Sequence, residues 1–379
     1  MNEKRIAINA LFCIPGKVGG SEIFLRQLLE KLSKQNEKEF HYYVFVNNEN
    51  KNLFGINSEF FTIVHCPINA SNRLLRILWE QIVLPIQCII FKIDLLHSPG
   101  YTSPLFTPCK KITTIFDLNY HYHPEDFNQL QLIVYKVLIP LVARTSNKII
   151  VHSRNAKEEM VKVLNINPNK IIVIYPGVDE VFYEKLPFKE IDRFISKYKI
   201  SRPYIMSNAV SHPHKNISSL IKAYAELVKE RGVTQDLILL GFAGKAQGEL
   251  LRLIKELRLG KKVIFTGWVD PKYVPLFYQG ASVFVFPSLY EGFGLPSIEA
   301  MASGVPLVAS NYSCIPEVVG KGGILVDSKN PSKITNSILK VLSNPLVRAD
   351  LIKRGEKRAR RFRWDNFAKS TYRSYLRLL

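Results

Sequence analysis

The sequence predicts an α/β protein built from two doubly wound, mostly parallel domains of nearly equal size. Three observations carry that reading. Short Val/Ile-rich runs alternate with amphipathic stretches along the chain, as expected for βαβ units whose sheets are covered on both faces. The 379 residues exceed what one ordinary core holds together. Near the middle the alternation pauses over 180–202, a charged, lysine-rich stretch punctuated by Pro187 and Pro203. Domains are therefore expected over 1–185 and 186–360, followed by a closing helical segment over 361–379.

In chain order, RIAINALF, HYYVFV, FTIVHC, KITTIFD and KIIVHS read as strands of the first half, and IIVIYPGV, PYIMSNAV, DLILLG, KVIFTG and SVFVFP follow them. Between them SEIFLRQLLEKLSK (21–34) and ISSLIKAYAELVKE (217–230) space their apolar residues as helices do. Ser21 and Asn216 are suitable caps for these two helices. Ligands are expected at the carboxyl ends of the strands, facing a cleft between the domains. From Lys353 to Arg377 ten Lys/Arg stand against two acids, interleaved with Phe362, Trp364, Phe367, Tyr372 and Tyr375. Such a basic amphipathic helix either lies on a membrane surface or packs back on its own protein, and packing is the ordinary outcome. The apolar stretch LLRILWEQIVLPIQCII at 74–90 is read likewise, as core before membrane contact.

Composition bounds the function classes. A hydrophobic fraction of 47% with mean hydropathy near zero is that of a globular protein in water. IVLPIQCIIF is too short to span a bilayer and is broken by Pro85 and Gln87. The start MNEKRIAINALFCIPG lacks a small-residue cleavage site, so the cytoplasm is the expected compartment. Five scattered cysteines fit neither a disulfide framework nor a CxxC metal site and read as core thiols. A net charge of +20 favours anionic partners, including an acidic inner membrane face touched peripherally. Nucleic acid is set aside because no basic-aromatic binding module is visible.

Three loops could carry chemistry. CIPGKVGGSEIFLRQLL brings Gly16, Gly19 and Gly20 to the start of a helix, where backbone N–H groups can approach an anion. Its spacing is not GxGxxG, which argues against a dinucleotide dehydrogenase; a plain strand-to-helix turn is the bland alternative. SNAVSHPHKNISSL (207–220) sets Lys215 and Asn216 just before a helix, a point charge well placed for a diphosphate. His212 and His214 lack the carboxylate or cysteine that would complete a metal set, so no metal is expected there. In PSLYEGFGLPSIEAMAS the turn Glu291, Gly292, Phe293, Gly294 and Leu295 exposes amides ahead of a helix with Pro296 in its first turn. Glu299 on that helix can accept both hydroxyls of a ribose, and Glu291 in the loop can reach a more exposed polyol. Placement of the two acids on loop and helix argues against a two-carboxylate glycosidase.

Taken together, GGSE at 19–22, FDLNYHYHPEDF at 116–127, YPGVD at 175–179, HKN at 214–216, FTGWV at 265–269, the EGFGLPSIE stretch and IPEVVG at 315–320 resemble, in that order, the retaining nucleotide-sugar glycosyltransferases of family 4. The resemblance covers nearly the whole chain. It implies the GT-B fold of two Rossmann-like domains, the first for the acceptor and the second for the donor, with the closing helix returning to the first domain. It further implies that Glu291 touches the donor sugar, Glu299 holds the ribose and Lys215 neutralises the leaving diphosphate. Asp117 joins Glu291 and Lys215 as a catalytic candidate, His214 and Asn216 flank the donor, and Gly19 and Gly20 wall the acceptor side. A hexose, with mannose the first candidate, would pass from a nucleotide diphosphate to a glycan or lipid-linked acceptor without cofactor or metal. Two departures stand out. Phe116 precedes Asp117 where relatives often carry histidine, with His121 and His123 nearby, and Val210 stands where many carry arginine. They motivate the alternative of a non-catalytic sugar-nucleotide-binding protein of the same fold.

Overall fold

The computed structural model describes residues 3–34, 39–52, 54–56, 58–208, 212–241 and 247–379. The chain forms two compact units, one of residues 1–177 with 363–379 and one of 178–362. The expected boundaries at 185/186 and 360/361 move for a physical reason. The lysine-rich stretch is folded structure, because Ile191 and Ile195 of the helix Phe188–Ile195 are buried and Phe194 of that helix packs edge-on against Phe277 of the helix Val274–Gly280.

Among the described residues of the first unit, strands β1 (Lys4–Asn9), β2 (Phe40–Val46), β3 (Phe61–His65), β4 (Leu95–Ser98), β5 (Lys110–Thr114), β6 (Lys148–Val151) and β7 (Ile171–Val173) form one sheet. Its order is β3-β2-β1-β4-β5-β6-β7, and all pairs are parallel. In the second unit β8 (Tyr204–Asn208), β9 (Asp236–Leu240), β10 (Val263–Phe265), β11 (Ala281–Phe286), β12 (Leu307–Ser310) and β13 (Ile324–Val326) form a second parallel sheet, β10-β9-β8-β11-β12-β13. Helices cover both, so central strands such as β11 are buried at every residue. That is why they read as unbroken apolar runs.

The closing helix, Trp364–Leu376, belongs to the first unit. Its aromatic residues face inward: Trp364, Phe367, Tyr372 and Tyr375 are buried. Trp364 and Phe367 pack edge-on against Phe24 of the helix Gly20–Ser33, and the Tyr375 hydroxyl pairs with His97 Nδ1 at 2.7 Å. The aromatics of this helix are thereby used inside the protein. Where the chain approaches the helix start, Gly177 leaves no room for a side chain, since a Cβ would lie 2.1 Å from the Trp364 backbone nitrogen. Gly177→Ala is expected to cost about 2–3 kcal/mol by overpacking. Thermal melts should show a clear loss beside Gly248→Ala, where nothing lies within 4 Å.

Candidate active site

In the second sheet β8 and β11 are neighbours at the point where the strand order reverses, and crevices for ligands open outside the carboxyl ends of such a pair. Two loops leave those ends and are laced together. Leu289 N–H donates to the His214 carbonyl at 2.7 Å. Asn216 Nδ2 donates to the carbonyls of Pro287 at 3.2 Å and Ser328 at 2.8 Å. Lys215 Nζ donates to Glu291 Oε1 at 2.7 Å, with side chains only 20% and 13% exposed. The structure thus brings Lys215, Glu291, His214 and Asn216 into one cluster, although Lys215 and Glu291 are 76 residues apart.

Asn216 does not cap its helix through its side chain, as the sequence suggested. It sits at φ 56° and makes no side-chain cap bond, because its amide is committed to the two loop carbonyls. Ser21 likewise donates to Val18 O at 2.8 Å, and the helix behind it is preceded by Gly19 without a side-chain cap. His212 and His214 stack with centroids 5.5 Å apart. Among the described residues no group of three or more His, Cys, Asp or Glu is arranged to hold a metal ion.

Glu291 is fixed through its backbone, whose N–H donates to Ser313 Oγ at 3.3 Å and whose carbonyl accepts from Ser313 Oγ at 2.9 Å. Gly294 follows at φ 86°; a Cβ there would be strained and would lie 3.2 Å from the Phe286 ring. The short helix Leu295–Ala302 begins at once, with Pro296 in its first turn. Phe293 is buried, its ring 5.4 Å from that of Phe362, so it can serve a ligand only through its backbone. Half-buried Glu299 accepts from the Tyr278 hydroxyl at Oε2, 3.0 Å away. Removal from water pushes its carboxyl up from 4.5 to about 7; the Tyr278 bond opposes this and the charge of Asp179 adds to it. Nothing in the sequence pointed to Tyr278, which lies 21 residues before its partner.

The remaining candidates lie in the first unit. Its strand order reverses between β1 and β4, and the loop after β1 holds Gly16 at φ 71° and Gly19 at φ 59°. No atom lies within 4 Å of a Cβ built at Gly19, and Gly20 opens the helix. Gly16 N–H donates to Glu22 Oε2 at 2.7 Å, so one loop amide is already occupied. Asp117 Oδ1 accepts from Asn119 N–H at 3.0 Å, and Asp117 is hydrogen-bonded to partly buried Tyr101, whose hydroxyl is held well above its usual range, chiefly by its removal from water. Phe116 is buried, with ring centroids 5.1 Å from Phe24, 5.2 Å from Tyr101 and 5.3 Å from His152. His152 went unnoticed in the sequence. Burial lowers it to about 4. It donates from Nδ1 to Ile174 O at 2.8 Å, so the neutral ring leaves Nε2 without a partner among the described residues. His121 is exposed and His123 pairs with Glu125 at 3.0 Å. Val210 lies outside the described residues.

Comparison with known proteins places this arrangement. Residues 18–182 match the family profile "Glycosyltransferase Family 4" and residues 188–358 match "Glycosyl transferases group 1", which together account for most of the chain. The O-antigen chain mannosyltransferase B of Escherichia coli is 28% identical over 75% of this chain and 74% of its own. The serotype-specific mannosyltransferase WbdA of Escherichia coli is 30% identical over 60% of this chain, but that match spans only 28% of WbdA. Among solved structures, HepE of Anabaena in complex with UDP-glucose superposes with a TM-score of 0.77 at 19% identity, over 99% of this chain and all of that one. The chain belongs to the family 4, group 1 glycosyltransferases and has the GT-B fold.

Proposed function

We propose that this protein is a retaining glycosyltransferase that moves a hexose, mannose first, from a nucleotide diphosphate to a glycan or lipid-linked oligosaccharide in cell-surface polysaccharide assembly. The observation that carries the reading is the Lys215–Glu291 pair, set 2.7 Å apart at the switch point of the second sheet. Ground for a nucleotide-sugar donor comes from the UDP-glucose held by HepE, and ground for mannose from the mannosyltransferase names of the relatives.

In this reading Glu299 accepts the ribose hydroxyls at its carboxylate and Glu291 accepts hydroxyls of the sugar. Lys215 and the amides of Gly292 to Leu295 receive the diphosphate charge as it develops. The bond from the anomeric carbon to the diphosphate oxygen breaks, the acceptor oxygen joins that carbon from the same face, and the acceptor's proton passes to the departing phosphate. Asp117 and the Gly19–Gly20 loop serve the acceptor side. A non-catalytic sugar-nucleotide-binding protein of the same fold is the alternative, and a donor-transfer assay separates the two. Purified protein offered mannose and glucose donors on guanosine and uridine diphosphates, with a lipid-diphosphate oligosaccharide, should yield an acceptor one hexose heavier. Nucleotide binding without product from any pair would sink the proposal.

A further inference from the structure

The helix Arg73–Ile90 turns an unbroken apolar face outward. Leu74, Leu78, Ile82, Ile86 and Ile90, at steps of four, are between 51% and 66% exposed. At about 100° per residue they fall within an arc of about 160° that no polar residue interrupts. The residues this helix buries, Arg76, Glu80, Leu84 and Cys88, lie on the opposite side. The sequence suggested core for this stretch; the structure leaves its most apolar side uncovered.

A second helix of the same unit, Gln129–Thr145, repeats the pattern. Leu130, Ile133, Val137 and Leu141 are 37–61% exposed, within an arc of about 80°. The loop between the two joins them. Gln81 brackets it, donating to Ser103 O at 3.0 Å and accepting from Leu105 N–H at 2.9 Å. Lys111 Nζ ties its Leu105 carbonyl, 3.4 Å away, to Thr145 Oγ1 at the end of the second helix, 2.9 Å away. On that loop Phe106 is 84% exposed. Scattered exposed leucines are ordinary, but a continuous apolar face on two helices marks an interaction surface.

Charge selects the occupant. Over 73–92, 99–111 and 129–148 the only acid is Glu80, which is buried and bonded to Arg76 at 3.4 Å. Arg73 and Lys92 at the two ends of the first helix, and Lys136 and Arg144 on the second, are exposed. A second copy docked on this face would set cations against cations, whereas anionic headgroups neutralise them. No helix among the described residues is long and apolar enough to cross a membrane. We infer that the first unit seats on an anionic bilayer surface through this face, its Ile and Leu side chains entering the boundary between headgroups and acyl chains. The inference stands apart from the transfer chemistry. A membrane seat would bring a lipid-linked acceptor to the unit that holds Asp117.

Flotation of the full chain with vesicles tests it. Binding to an equal mixture of phosphatidylglycerol and phosphatidylcholine is expected, with at least tenfold weaker binding to phosphatidylcholine alone, since each cation near such a surface is worth about fivefold in affinity. Ile82→Glu with Ile86→Glu should abolish flotation while circular dichroism and nucleotide binding stay unchanged. Arg144→Glu should weaken flotation with the apolar face intact. Equal binding to both vesicle types overturns the anionic surface as the partner. Absence of flotation overturns the inference outright, as does a dimer in solution that the Ile82/Ile86 variant dissociates. A transferase that is active yet fails to float separates this failure from that of the proposed chemistry.

Discussion

Lys215→Met is expected to lower kcat/KM for the sugar donor by a hundredfold to a thousandfold, the usual cost of removing one preorganised group from the site of developing charge. Methionine keeps most of the stem of a side chain that is only 20% exposed, so the fold should survive. The loss should fall mainly on kcat, because the charge on the leaving diphosphate grows in the transition state. Glu291 is the partner of that ammonium, so removing either residue also disturbs the other. Glu291→Gln with Lys215→Met should therefore cost less than the product of the single losses. Steady-state kinetics of the four proteins check both statements, and independent, multiplying losses would separate the pair.

Donor affinity should fall as the pH drops below about 7, by up to tenfold per unit, because Glu299 must be ionised to accept two ribose hydroxyls and its carboxyl titrates at about 7 when no ligand is bound. The sign for stability is opposite. A folded-state value raised above 4.5 means that the fold favours the protonated carboxyl. That contribution is complete below 4.5 and is lost as pH rises through about 7. Relative to Glu299→Gln, the unliganded protein should lose stability over that interval while its donor affinity rises. Titration calorimetry and thermal melts across pH 5 to 8, in both proteins, read the two slopes. A flat affinity profile in the native protein would remove Glu299 from the ribose.

Periodicity made much of the fold legible, and least so where polar residues are buried. The helix Ile217–Glu230 can be read to the residue because its apolar spacing is regular and Asn216 ends the loop before it. β4 cannot: His97 and Ser98 break its apolar run, yet both are buried. The His97 ring is satisfied by Thr114 and by Tyr375, 278 residues away. β12 and β13, of four and three residues, are too short to show a period.

The donor-side candidates were legible as residue types on loops that the structure brings together. Their lacing was not, because bonds such as Asn216 to Ser328 depend on which strands become neighbours. Periodicity also misleads over 74–90. A helix that leaves its apolar side open shows the same periodicity as one that turns that side to a core. That Phe116 packs against Phe24, Tyr101 and His152 was not legible either, because those rings come from distant parts of the chain.

The central claim is transfer with retention at a site built around Lys215, Glu291 and Glu299. Proton NMR of the new linkage, formed from an α-linked nucleotide diphosphate hexose, tests it most directly. The account predicts an α-anomeric signal that appears with the native protein and falls by at least a hundredfold in rate with Lys215→Met. A β-anomeric product, or an α product formed at the native rate by Lys215→Met, would contradict it.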